Sequence, residues 1–288
     1  MTALALCKSR YGDEVMDRRA AVIGIALLAT PAVAATPDEL RVMSFNVRLP
    51  LASDGANRWE ARQALMVRTI RRADPDIIGT QELWKVQGDW IVAKLPQYNW
   101  FGIDRRGGHA DEHMGVFYRR DRLRVVRHGN FWLSDTPDVA GSISWGNLYP
   151  RMVTWGLFET RAGQRFWFYN THFPYRAEDE AARVRAAGML AGRIAGDAPV
   201  VLTGDFNTGP GSAAHGLLSK GLADGWLASP VRRGPTGTFH GFSGQPKERI
   251  DWVMARGLTA VRAETVDAGR AGRWPSDHFP VVVDYRWP

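Results

Sequence analysis

Apolar runs rich in aromatic and β-branched residues recur along this chain, and one after another ends on a polar residue. Such runs are buried strands, and their polar ends mark where the chain leaves a sheet. Leu40 to Val47 alternates and reads as a strand, and Asp76 to Thr80 is a short buried strand running into Gln81-Glu82. Further strands are expected at Met114 to Tyr118, Arg124 to Leu133, Met152 to Glu159 and Arg165 to Thr171. Pro199 to Thr203 is continuously apolar and is followed by the turn-rich Gly204-Asp205-Phe206-Asn207-Thr208-Gly209-Pro210. Arg249 to Ala255 and Val281 to Tyr285 close the pattern. Helical periodicity interrupts it at Trp59 to Ala73, with Trp59, Met66, Ile70 and Ala73 on one stripe and Asn57 as the cap. It returns at Glu178 to Ala195, with Val184, Ala187, Ala191 and Ile194 inward. Many strands with few helices between them predict an α/β fold of two packed β-sheets with helices outside. No repeat or low-complexity linker follows Thr36, so residues 40–288 are read as one domain. Trp132, Trp155 and Trp167 are assigned to core or rim packing.

The polar residues at the strand ends suit phosphate chemistry. They are Asn46 after Val42-Met43-Ser44-Phe45, Glu82 after Gln81, His172 after Asn170-Thr171, and Asp205 with Asn207. Asp251 sits in Arg249-Ile250-Asp251-Trp252, and Asp277-His278 precedes Phe279-Pro280. Alone, each has an ordinary explanation: an Asx-turn, a helix cap or a surface hydrogen bond. Strand ends on one edge of a sandwich converge, however, and loops there carry function. The whole set in this order points to one site.

The set resembles the endonuclease/exonuclease/phosphatase superfamily, which includes secreted DNases, abasic-site endonucleases, neutral sphingomyelinases and inositol-phosphate phosphatases. The matching motifs are Ser44-Phe45-Asn46, Gln81-Glu82, Asn170-Thr171-His172-Phe173, Gly204-Asp205-Phe206-Asn207, Arg249-Ile250-Asp251 and Ser276-Asp277-His278-Phe279-Pro280. Phe131-Trp132-Leu133-Ser134 and Pro150-Arg151 look like segments of a less characterised bacterial branch. The resemblance implies a four-layer α/β/β/α sandwich with two mixed sheets and a Mg²⁺ or Mn²⁺ site. Glu82 would be the principal metal ligand, with Asn46 and Asp277 nearby. His278, oriented by Asp251, would polarise the phosphate or take a proton from water, and Asp205 would position or deprotonate that water. Asn207 and His172 would donate hydrogen bonds to the pentacovalent oxygens. Which of Asp205 and His278 is the base stays open. The chain departs from abasic-site endonucleases, which tend to carry an acidic residue where Arg48 stands and a Tyr where His172 stands. Inositol 5-phosphatases typically continue the Asp-x-Asn motif with Tyr-Arg, where this chain has Thr208-Gly209.

The N-terminus reads as an export signal. Arg18-Arg19, the apolar run Ala20 to Ala29 and the small residues Ala32-Val33-Ala34-Ala35 form charged, apolar and cleavage regions over residues 1–34. Met16 is an alternative start, and the arginine pair fits Sec or twin-arginine export. A periplasmic or secreted location is therefore expected. The apolar run is far short of the roughly 20 residues that span a bilayer, and no later segment is a candidate. The only cysteine, Cys7, falls within that signal. A mature chain beginning near Ala35 would hold any metal through oxygen and imidazole, with thiolate chemistry excluded.

The net charge of +7 becomes +6 once the four cations and three anions of the signal are removed. A basic surface suits an anionic phosphorylated substrate. The expected activity is phosphodiester or phosphomonoester hydrolysis on a phospholipid head group, sugar phosphate or nucleotide. A secreted nuclease of weak specificity is the alternative, but nucleic acid is not favoured, because arginines and aromatics form no clear cluster. A binding protein that merely keeps the fold should have lost one of Glu82, Asp205, His172 or His278, and all four are present. No obligate protein partner is evident.

Overall fold

In the computed structural model residues 39–194 and 196–288 are described, so the export signal expected over residues 1–34 lies outside them. The strands are β1 (Glu39–Asn46), β2 (Ile77–Gln81), β3 (Tyr98–Phe101), β4 (Val116–Arg119), β5 (Leu123–Trp132), β6 (Met152–Thr160) and β7 (Arg165–His172). They continue as β8 (Val200–Asp205), β9 (Ala223–Asp224), β10 (Val231–Arg233), β11 (Asp251–Arg256), β12 (Thr259–Thr265) and β13 (Val281–Arg286). The helices are α1 (Trp59–Ala73), α2 (Lys85–Lys94), α3 (Glu180–Arg193), α4 (Ala213–Leu218) and α5 (Gly225–Ala228).

Two mixed sheets result. One has the order β10-β12-β13-β1-β2-β4-β3, and the other β5-β6-β7-β8-β11-β9. Period-2 alternation gives both faces of each strand a partner. Leu40 and Val42 of β1, Ile77 of β2, Phe168 of β7, Val201 of β8 and Val253 of β11 meet between the sheets. Met43, Phe45 and Ile78 face outward onto Trp59, Met66 and Ile70 of α1 and Ile91 of α2. Tyr169, Leu202, Trp252 and Met254 face outward onto Ala186, Ala187 and Leu190 of α3 and Leu218 of α4. The expected four-layer α/β/β/α sandwich is thus the architecture found.

Two local expectations fail. Asn57 does not cap α1: a 3-10 turn over Ala52–Asn57 leads into the helix, and Arg58 takes the cap position with no side-chain cap bond. The carbonyl of Asn57 instead accepts from Arg62 Nε. In α3 the inward stripe is Ala182, Arg183, Ala186, Ala187 and Leu190, so Val184 and Ala191 are only half-buried. Arg183 turns inward because its guanidinium caps loop carbonyls, donating to Pro174 O and Arg176 O at 2.9 Å each.

Along one end of the sandwich the layer between the sheets changes from apolar to polar. The same faces that carry Val42, Ile77, Phe168 and Val201 next present Ser44, Gly79, Asn170 and Thr203, all buried. Asn170 organises this belt. Its Nδ2 donates to Thr80 O at 2.7 Å and Gly115 O at 3.1 Å, while its Oδ1 accepts from Gln81 Nε2 at 2.7 Å and Thr203 Oγ1 at 3.0 Å. Gly79 has no room for a side chain here, since a Cβ would lie 2.0 Å from Thr203 Oγ1 and 2.5 Å from Asn170 Oδ1. One step further along β1, β7 and β8 stand Asn46, His172 and Asp205, and Glu82 directly follows β2.

Candidate active site

Strand register assembles the centre of the site. Parallel pairing of β7 with β8 sets His172 beside Asp205, and antiparallel pairing of β8 with β11 sets Asp251 on the other side of Asp205. The opposite sheet contributes Asn46, whose Nδ2 crosses the gap to donate to Asp205 Oδ2 at 2.9 Å and Glu82 Oε1 at 3.0 Å. Two carboxylate acceptors fix which way that amide turns, and its Oδ1 accepts from the Arg48 backbone N–H at 3.0 Å. A ligand role for Asn46 through its oxygen would need the amide to turn over.

The loops leaving the strands turn sharply. Arg48, Glu82 and Asn207 have left-handed backbone, with φ of 55°, 57° and 52°. Strain of this kind costs about 1–3 kcal/mol per residue and clusters at functional sites. Arg62 of α1 ties the Arg48 loop to the loop that precedes Asp277, although nothing in its sequence context sets it apart. Only 1% exposed, it donates to Val47 O at 2.6 Å, Leu49 O at 3.2 Å and Pro275 O at 3.0 Å, and also to Arg48 O. Burial lowers its pKa to about 10, so it remains a cation at neutral pH. Ser276 Oγ adds a 2.6 Å bond to Asn46 O, which places Asp277 and His278 over the end of β1.

His278 is the most constrained catalytic candidate. Its Nδ1 lies 2.9 Å from Asp251 Oδ2 and its Nε2 3.7 Å from Asp205 Oδ2. Burial disfavours the imidazolium, but the carboxylates of Asp251 and Asp205 outweigh it and hold His278 well above its ordinary pKa. His172 is the opposite case. Burial, with Arg151 and His278 nearby, holds it well below its ordinary range, its Nε2 lies 3.5 Å from Asp205 Oδ2, and its Nδ1 is buried without a partner among the described residues. Burial and then Asp251 raise the Asp205 carboxyl to about 7. Two imidazoles that differ only in their neighbours thus carry different charge at neutral pH. Asn207 holds Asp205 through its backbone N–H at 3.0 Å and spends one amide hydrogen on Phe173 O at 3.0 Å, leaving the second without a partner among the described residues.

The donor set fits a divalent cation. Glu82, His172 and Asp205 offer ligand atoms within 4.8 Å of one another, and so do Asp205, Asp251 and His278. Burial and then the His278 and Glu82 charges act on Asp277, with a raised carboxyl as the net result. Carboxylates crowded this closely favour an added positive charge, and oxygen-rich sites of this kind suit hard cations. Arg48 supplies part of that charge: its Nη1 lies 3.9 Å from Glu82 Oε2 and 3.7 Å from Asp277 Oδ2, while its Nη2 pairs with Asp54 at 2.9 Å.

All eight expected residues stand at this end of the sandwich. Glu82, His172, Asp205, Asn207, Asp277 and His278 line one cavity of about 600 Å³. Asp251 and Asn46 lie behind them, each in hydrogen-bond contact with a lining residue. The cavity also contains side chains that strand-end logic does not reach: Arg105, Glu112, Tyr149, Arg151, Tyr175 and Phe239. Of these, only Arg151, in Pro150-Arg151, belongs to a segment that the sequence itself marks.

A two-sheet sandwich that spends one end of its inner layer on carboxylates, imidazoles and amides is a scaffold for a cation and an anionic ligand. Residues 43–278 match the Endonuclease/Exonuclease/phosphatase family, and the chain belongs to it. An endonuclease/exonuclease/phosphatase family protein from Bacteroides thetaiotaomicron is similar in structure, with a TM-score of 0.82 and 32% identity over 88% of this chain and 97% of that one. A mannosyl-6-phosphatase of the same bacterium aligns with a TM-score of 0.80 and 32% identity over 86% of this chain and 100% of that one. An uncharacterised protein of Acanthamoeba polyphaga mimivirus is 30% identical over 161 residues, 52% of this chain and 60% of that protein. The chain spans about half the length of the curated relatives it matches.

Proposed function

We propose that the protein is an exported, Mg²⁺- or Mn²⁺-dependent phosphoesterase acting on a small phosphorylated molecule, with a sugar phosphate as the first substrate class to test. The observation that carries the reading is the convergence of Glu82, His172, Asp205 and the Asp251–His278 pair in one cavity. The similarity to a mannosyl-6-phosphatase supports the substrate class. A cavity of about 600 Å³ matches a small molecule, whereas a nucleic acid strand would ask for an extended basic groove.

Glu82, with Asp277 beside it and Asn46 turned over to present its oxygen, would hold the cation, which would supply charge neutralisation at a phosphate oxygen and at the leaving oxygen. His278, kept protonated between Asp251 and Asp205, donates a hydrogen bond toward the phosphate. Asp205, with its carboxyl raised to about 7, is the better proton acceptor near neutral pH and takes the proton of the attacking water. His172 and the second amide hydrogen of Asn207 donate to oxygens that gain charge in the transition state. A panel of sugar phosphates, nucleotides, phospholipids and DNA, run with Mg²⁺ and with chelator, tests the reading. Metal-dependent release of phosphate from small monoesters is the expected result, and chelator-insensitive turnover or none on the panel would overturn it. N-terminal sequencing of the native protein, expected to begin near Ala35, tests export.

A further inference from the structure

We propose that Arg151 is a further catalytic residue, one that binds a non-bridging oxygen of a terminal phosphate and so makes the site select monoesters over diesters. This rests on the phosphoesterase reading above. Arg151 lines the cavity, is only 5% exposed, and its Nη1 is buried with no hydrogen-bond partner among the described residues. A buried guanidinium donor without an acceptor is costly to keep, and here the cavity is where an acceptor can enter.

The neighbouring carboxylates do not use it up. Arg105 takes Glu112 through Nη1 and Asp111 through Nη2, both at 3.0 Å. Burial lowers the Arg151 pKa, and the charged groups that act on it are Glu112, Arg105, Asp205 and Glu82, all of which line the same cavity. Burial and then Arg151 hold His172 below its ordinary range.

One packed segment and two tyrosine rings hold this wall in place. Within Phe131-Trp132-Leu133-Ser134, the Trp132 indole N–H donates to Arg105 O at 2.7 Å and the Leu133 backbone N–H donates to Arg151 O at 2.7 Å. The Tyr149 ring covers the Arg105 guanidinium at 4.5 Å, and the Tyr175 ring lies 6.0 Å from that of Arg151.

Selectivity follows from counting oxygens. A diester offers two non-bridging oxygens, and the cation with His278 on one side and His172 with Asn207 on the other account for both. A terminal phosphate has a third, and the unpaired Arg151 donor is the group left to receive it. An Arg fork suits a phosphate better than a Lys ammonium, because it donates in a fixed plane.

The test compares wild type, Arg151→Ala and Arg151→Lys with Mg²⁺ present. Titration calorimetry with inorganic phosphate reads binding, and turnover of p-nitrophenyl phosphate and bis-p-nitrophenyl phosphate reads selectivity. Arg151→Ala should weaken phosphate binding and lower monoester kcat/KM by about 10²–10³-fold. Diester kcat/KM should fall by about tenfold or less, a loss of one order where the monoester loses two or three. Added guanidinium should restore part of the monoester activity alone. Arg151→Lys keeps the buried charge if the alanine variant does not fold, and should also lower the monoester-to-diester ratio. Equal losses on both esters, or unchanged phosphate affinity, would overturn the assignment. Wild type that binds phosphate through Arg151 yet hydrolyses neither ester would sink the phosphoesterase reading and the catalytic role of Arg151 with it, leaving only its phosphate contact.

Discussion

Removing the His278 imidazole should separate catalysis from stability in a way that single substitutions alone do not reveal. His278 and Asp251 are 4% and 1% exposed, and their Nδ1–Oδ2 contact is 2.9 Å. The two come from distant parts of the chain and act as one unit, the carboxylate fixing the tautomer and the charge of the ring. His278→Ala and Asp251→Ala should each lower turnover by about 10²–10⁴-fold, a barrier increase of roughly 3–5 kcal/mol. Independent residues would multiply these losses, whereas a unit should leave the double variant within about tenfold of the worse single one. Stability should behave differently. His278→Ala strands the Asp251 carboxylate, whose Oδ1 already lacks a partner among the described residues, and breaking a buried pair from one side costs about 3–5 kcal/mol. At ~2–4 °C per kcal/mol for a domain of this size, the melting temperature should drop by roughly 6–20 °C. Removing Asp251 as well deletes the unpaired charge, so the double variant should melt higher than His278→Ala while being no more active. The assay is turnover of an activated phosphomonoester at saturating Mg²⁺, with melting curves of all four proteins. Multiplicative activity losses together with additive destabilisation would refute the dyad.

Three further outcomes follow from the same geometry. Glu82→Gln should raise the Mg²⁺ concentration needed for half-maximal activity by at least tenfold, a loss of about 1.4 kcal/mol or more, and unchanged metal activation would exclude Glu82 as a ligand. Burial and then Asp251 raise the Asp205 carboxyl from 3.8 to about 7, so the folded protein keeps a proton that the unfolded chain has lost. That contribution to stability is present below about pH 4 and disappears as pH rises through about 7. In chelator, wild type should therefore lose melting temperature relative to Asp205→Asn across that window, and a constant difference would count against it. Gly79→Ala drives a methyl group into Thr203 and Asn170, and should cost about 1–3 kcal/mol in denaturant titrations along with much of the activity. Wild-type behaviour would show that the belt beneath the site yields readily.

How far the sequence reaches depends on whether the governing interaction is local. Alternation in β1, β7 and β8 is local, because successive side chains point to opposite faces. Each strand therefore announces both its buried faces and the polar residue where burial ends. Asn46, Glu82, His172, Asp205 and His278 were legible for that reason, and so was the layered fold. Elements whose burial comes from elsewhere were not legible. Strand β12, between the short β10 and β13, carries Arg262 and Glu264 and looks like a polar loop. Helix α2 contains Gly88, a poor helix former, required because a Cβ there would lie 2.7 Å from the Trp100 ring.

Only the tertiary structure decided which strand ends touch. The order β7-β8-β11 places Asp205 between His172 and Asp251, and that adjacency is absent from any stretch of chain. The same holds for the arginines. Arg62, Arg105 and Arg151 look like surface cations in sequence, since arginine is ordinarily exposed. Folding gives Arg62 a set of loop carbonyls and Arg105 two carboxylates. Arg151 it leaves lining the cavity, with a buried donor that has no partner among the described residues. Hydrophobic patterning is written residue by residue along the chain. The charge balance of a buried site is a sum over groups that only the packed fold brings within a few ångströms of one another.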